Sequence, residues 1–96
     1  EFRRVLFRSE QIISFLRNCA TMIRKNDYIG FEELIAESIT LMNQLTALKK
    51  GELKRIQGQS GSTKVSMVYL NMVQEAQNVV SFTANLLKVS RKFQKE

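Results

Sequence analysis

The sequence predicts an all-α fold, an antiparallel three-helix bundle. Three observations carry that expectation. Apolar side chains recur at the helical period in three long segments. Pro is absent and Gly occurs four times, so little interrupts a helix. No stretch alternates apolar and polar residues as a half-buried strand would.

Ninety-six residues make at most one small domain, and a hydrophobic fraction of 44% is enough for one modest core. No apolar run reaches the length of about 18 residues that a bilayer-crossing helix needs. No signal peptide is evident. His is absent, which removes the commonest general base and the commonest transition-metal ligand. The single Cys19 has no intramolecular partner and sits on an apolar helical stripe, so it reads as a buried structural thiol.

The formal net charge is +6. Residues 1–9, EFRRVLFRS, match one reading frame of a common short-read sequencing adapter, and are expected to be non-native. Glu1, Arg3, Arg4 and Arg8 carry +2 of the charge, which leaves +4 on residues 10–96. These residues are expected to form one helical domain truncated at its N-terminus, so that some apolar face stays exposed, with the outer residues Phe15 and Met22 of the first helix or Val68 and Phe82 of the third as candidates.

The first segment runs from about Glu10 to Lys25. Ile12, Leu16, Cys19 and Ile23 fall on one face, with Ile13 and Ala20 beside them. The adapter residues are compatible with extending this helix. Lys25-Asn26-Asp27 ends it and offers a cap for the next.

The second segment begins at about Tyr28 or Phe31 and ends near Gln57. Leu34, Ile35, Leu41, Met42, Leu45, Leu48 and Ile56 mark its inner face, while Thr40, Asn43 and Lys50 point away. Glu32, Glu33 and Glu37 crowd its start and Lys49, Lys50, Lys54 and Arg55 its end, as the helix dipole favours. Gly51 weakens it locally.

Gly58 to Thr63 holds two glycines and three hydroxyl residues, a helix stop, a tight connection and an N-cap at Ser62 or Thr63. So short a link makes its two helices antiparallel neighbours. The third segment, Ser62 to Phe93, is the longest. Val65, Tyr69, Met72, Val73, Ala76, Val79, Val80, Leu86, Leu87 and Phe93 give it a wide apolar stripe. About 30 residues at about 1.5 Å each span roughly 45 Å, and such a helix cannot bury its own stripe.

No constellation of catalytic residues stands out. Glu33 and Glu37 are an i, i+4 pair near a helix start, read here as a solvated, dipole-favoured face. Glu75 stands alone in the third segment. GQSGST lacks the preceding strand and the Lys-Ser/Thr order of a phosphate-binding loop. Lys49, Lys50, Lys54, Arg55 and Lys64 surround the last turn and are candidate partner contacts, for nucleic acid or an anionic surface. Aromatics do not interleave them and they are spread around the helices, which favours a solvated face. Lys88, Arg91, Lys92 and Lys95 make a second cluster. Gln74, Gln77, Asn78, Ser81 and Thr83 form a polar band, and Gln74 and Asn78 are further contact candidates. The band is expected to face solvent, though it lies close enough to the stripe to be buried or to meet a partner.

One resemblance goes further. LKKGELKRIQ (Leu48–Gln57), the GQSGST turn, SMVYLNMVQEAQNVV and NLLKVSRKF resemble the end of a PhoU-like domain. Such domains occur at the cytoplasmic C-terminus of bacterial type II sodium/phosphate cotransporters. The family shows a basic helix with a Lys/Arg-Ile pair, a short Gly/Ser turn, and a helix that begins Tyr-Leu-acid/amide and ends Asn-Leu-Leu. Tyr69, Leu70, Asn71, Asn85, Leu86 and Leu87 match it, over about half the chain.

The resemblance implies half of a PhoU-like domain with a regulatory or assembly role in phosphate transport, at the cytoplasmic face of the inner membrane. Its partners would be the transporter's own membrane domain, the missing half of the domain, or a second copy in a homo-oligomer. No enzyme activity and no cofactor are expected. The family's metal-binding acids fall at Gln77 and Ser81, where neither is a carboxylate, and Glu75 is off register. A metal site is therefore not expected. The alternative is a stand-alone basic helical adaptor for nucleic acid or another anionic partner; nucleic acid is the less favoured of the partners.

Overall fold

The computed structural model describes residues 2–58 and 63–95, with side chains for 9–58 and 64–93. Among them the chain is all helix: α1 (Phe2–Lys25), α2 (Phe31–Gly58) and α3 (Thr63–Lys95), packed as a three-helix bundle. The bundle is slender, 56 × 20 × 18 Å. The expected turn at 59–62, the adapter side chains 1–8 and Lys95 as a contact lie outside the described residues.

Each boundary has a local cause. Asn26 adopts φ 55°, the left-handed conformation that ends a helix. Its N–H donates to Ile23 O at 3.2 Å and the Asp27 N–H to Met22 O at 3.3 Å, the paired bonds of a Schellman stop. Asp27 was expected to help cap the next helix. Instead its Oδ1 accepts from Ile29 N at 3.2 Å within the turn, and Gly30 caps α2. The Gly30 carbonyl accepts the first α2 bond, from Leu34 N at 3.2 Å. Gly30 has φ 88°, which a side chain would strain. α2 passes through Gly51 without a break.

The order of contacts along α2 and α3 is opposed. Glu32 lies against Arg91, Thr46 against Gln77 and Glu52 against Ser66. α1 lies against both helices, and together they bury Ile12, Phe15 and Cys19 of α1, Phe31, Leu34, Leu41 and Leu45 of α2, and Tyr69, Val73, Val80, Ala84 and Leu87 of α3.

Two expectations change. Phe15, read from the sequence with Met22 as an outer residue of the first helix, is fully buried, and Met22 is half-buried against the core. Phe15 stands three residues after Ile12 and four before Cys19, so it shares their face, and α1 turns that face into the groove between α2 and α3. Leu16 and Ile23 flank it, half-buried. The wide stripe of α3 also divides. Tyr69, Val73, Val80 and Leu87 are buried, whereas Val65, Met72, Val79, Leu86 and Phe93 are 42–72% exposed. One helix packed on two neighbours covers only part of its circumference, and the stripe is wider than that part.

Cys19 is 1% exposed. Burial first, and the nearby Glu37 carboxylate second, push its thiol from 9.0 up to about 11. An unfolded chain ionises this thiol at lower pH than the folded one. The contribution of the protonated thiol is therefore complete below pH 9 and is lost as pH rises towards 11. Urea unfolding of the native chain should show stability falling by about 2–3 kcal/mol more than that of Cys19→Ala across this window. Parallel pH profiles for the two proteins would show the thiol to be solvated after all.

Candidate functional site

Two features of α3 stand out: a polar seam on its inner face and an apolar stripe on its outer one. The seam begins with Gln77, which the sequence pattern placed in solvent. It is 6% exposed and points at α2. Its amide nitrogen donates to Thr46 Oγ1 at 2.9 Å and to Met42 O at 3.3 Å. Its carbonyl oxygen accepts from Lys49 Nζ at 3.0 Å. The same ammonium donates to Gln74 Oε1 at 2.7 Å, and Gln74 Nε2 donates to Asn78 Oδ1 at 3.0 Å. Both amide donors of Gln77 are thus satisfied, as burial demands.

Two turns towards the α2–α3 connection lies a buried carboxylate. Glu52 is 5% exposed; its Oε2 accepts from Ser66 Oγ at 2.5 Å and its Oε1 lies 3.7 Å from Arg55 Nη1. Neither Glu52 nor Ser66 was singled out from the sequence, although the signal was there. Leu41, Leu45, Leu48 and Glu52 step by four, three and four along the inner face of α2. Ser66, Tyr69, Val73, Val80 and Leu87 hold the same phase on α3.

The basic cluster at this end does not act as one patch. Lys49 turns inward to the glutamines and Arg55 reaches back to Glu52, while Lys50, Lys54 and Lys64 remain exposed. At the other end, the Arg91 guanidinium lies 4.3 Å from the centre of the Phe31 ring, with Nη1 3.6 Å from Glu32 Oε2. Phe31 also meets Tyr28 edge-on, ring centres 6.5 Å apart. Arg91 thereby fastens the end of α3 to the start of α2. Ser81, also expected in the polar band, is exposed beside the seam.

The outer face of α3 is the larger feature. Val65, Val68, Met72, Val79, Phe82, Leu86, Val89 and Phe93 are each 42–72% exposed. They follow one another in steps of three and four, with Glu75 filling the place between Met72 and Val79. Val68 and Phe82 were expected among the exposed apolar residues, and they are, at 52% and 68%. A groove of about 560 Å³ runs beside the stripe, where Ile12 and Ile13 of α1 face Val68, Met72, Ala76 and Val79 of α3.

Together these side chains leave in water the surface of about four whole apolar residues. Burying it would contribute on the order of 6–12 kcal/mol at the usual 1.5–3 kcal/mol per side chain. Scattered apolar residues are normal on a surface, whereas a regular stripe of this size is the kind of surface at which proteins pack.

The seam separates buried from exposed polar residues sharply enough to test. Gln77→Ala removes the bonds to Lys49 Nζ, Thr46 Oγ1 and Met42 O and opens a hole at a buried position, so urea unfolding should show a loss of about 1–3 kcal/mol. Gln74→Ala, at an exposed position, should lose less than about 1 kcal/mol. Equal losses would mean that Gln77 is not the member that holds the seam.

The chain matches no protein-family profile, no curated protein and no solved structure.

Proposed function

We propose that this chain is a non-enzymatic interaction module, a PhoU-like half domain that regulates or assembles a sodium-dependent phosphate transporter through helix packing. The observation that carries the reading is the outer face of α3, whose apolar stripe is left uncovered by α1 and α2. A face of this kind acts by being covered, which makes contact, rather than turnover, the mode of action.

The resemblance of Leu48–Gln57 and Ser66–Phe93 to the family supplies the transporter. The geometry around Gln77 supports the non-metal part of the reading. Where the resemblance places the first metal-ligating acid, this chain has an amide engaged with α2, and the cation beside it is its own Lys49. Among the described residues, no three or more of His, Cys, Asp and Glu come together in a way that could hold a metal ion. Also among them, no helix is long and apolar enough to cross a membrane, so in this reading the membrane part belongs to sequence beyond residues 10–96. The adaptor reading for nucleic acid fares worse, since Lys49 and Arg55 are engaged within the bundle.

Two measurements test the proposal. The DNA upstream of the Glu10 codon should encode transmembrane helices in frame, and a frame without them removes the transporter. The interaction face is tested separately. Phe82→Ser should leave helical content intact and change stability by no more than about 0.5 kcal/mol, as expected of an exposed position. At dilutions where the chain sediments as a monomer, it should nevertheless lower the fluorescence of a hydrophobic dye such as ANS bound to the native chain. Undiminished fluorescence would mean that the stripe is not an accessible apolar surface.

A further inference from the structure

We infer that the partner of the outer α3 face is the same face of a second copy. The two α3 helices pair antiparallel and cross near Asn85, so that Glu75 of each copy meets Lys92 of the other. This rests on the reading of that face as an interaction surface, and adds its occupant and register.

The period comes first. The exposed stripe keeps alternate steps of three and four from Val65 to Phe93. That is a mean period of about 3.5, at which a stripe stays aligned with a neighbouring helix along its whole length. A stripe meant only for a loop or a lipid surface has no need to hold that period. α3 therefore carries two helix-packing seams, an inner one filled by α1 and α2 and an outer one that is open. Among the described residues, the helix with a matching, open, 3.5-period apolar seam is α3 itself. Over residues 75–93 a homodimer would bury Val79, Phe82, Leu86, Val89 and Phe93 of each copy at once, about five to six whole apolar side chains' worth of surface in all.

Charge selects the direction. Glu75 is the sole ionised residue within the seam, and Lys64 and Lys92 flank its two ends. A parallel pair would set Glu75 against Glu75, Lys64 against Lys64 and Lys92 against Lys92. An antiparallel pair separates the like charges.

Charge also selects the register. If Phe82 lies opposite Leu86 of the second copy, Val79 lies opposite Val89 and Glu75 falls beside Phe93 and Lys92. The overlap, residues 75–93, contains the most exposed apolar side chains of the stripe, Phe82 at 68% and Phe93 at 72%. Lys64 of each copy lies beyond it. A register slid to cover the whole stripe would leave Glu75 against apolar side chains with no cation in reach.

The test is sedimentation equilibrium of the full chain, with charge reversals and cysteine cross-linking. The wild-type chain should be dimeric at tens of micromolar. Glu75→Lys and Lys92→Glu should each weaken the dimer about tenfold, since each puts two like-charged contacts into it, and the double variant should recover to within about threefold. Both substitutions fall at exposed positions, so the bundle should survive them. For the register, Asn85→Cys should form a disulfide-linked dimer under mild oxidation, because Asn85 lies on the flank of the seam one residue from the two-fold at Ala84 and so stands close to its own copy, whereas Asn78→Cys, six residues from the two-fold, should not. The native Cys19 is buried and does not compete.

A chain that stays monomeric at hundreds of micromolar overturns the inference. So does a dimer that cross-links through Asn78→Cys and not Asn85→Cys, or one whose charge reversals do not compensate. A monomer whose dye binding still falls in Phe82→Ser would leave the interaction surface standing and remove only its self-pairing.

Discussion

The register of α3 on α2 is held by one buried amide, and most of the rest follows from it. Gln77 gives both of its N–H donors to α2, at Thr46 and Met42, and takes the ammonium of Lys49 on its carbonyl. A buried amide that loses such partners costs about 1–3 kcal/mol for each stranded group, while an apolar contact shifted by a turn usually finds another. The apolar surfaces of α2 and α3 supply the attraction, and Gln77 decides which alignment is accepted. With Gln77 in place, Ser66 falls against Glu52 at one end and Arg91 over Phe31 at the other.

The same alignment fixes what is left over. α3 turns Tyr69, Val73, Val80 and Leu87 inward, and Phe15 of α1 fills the third side of that core. Residues one position away from these on the helix then point outward, and several of them are apolar. Val65 and Ser66, Met72 and Val73, Val79 and Val80, Leu86 and Leu87 are adjacent pairs in which one member is exposed and the other buried. Side chains at i and i+1 stand about 100° apart on a helix, so a core of this width cannot hold both. The exposed stripe is thus a regular second face, offset by one residue from the first and carrying its period.

This explains what could be read from the sequence and what could not. Three helices, and the first stop at Lys25-Asn26, follow from periodicity and local turn chemistry, which act over a few residues. The division of α3 into two seams does not, because adjacent apolar pairs score as one broad stripe until the neighbours are placed. Phe15 was misplaced for a related reason: three of the residues around it also fit a face, and only the groove between α2 and α3 chooses among them. Gln77 and Glu52 are polar residues on inner faces. Polarity argued for solvent and position argued for burial, and the partners that settle the matter lie 31 and 14 residues away in sequence.

Charge completes the picture. A chain of net charge +6 invites an electrostatic reading, in which its partner is acidic. The positions of the cations weaken it. Lys49 is held by two glutamines, Arg55 reaches a buried carboxylate, and Arg91 lies on an aromatic ring with Glu32 beside it. Lys49 and Arg91 thereby tie α2 to α3, while Arg55 pairs within α2. The apolar residues of α3, in contrast, are gathered along one line that neither neighbouring helix covers. Burying such a line depends weakly on salt and strongly on matching shape and period, so in the pairing proposed for α3 helix geometry governs recognition and charge sets direction and register.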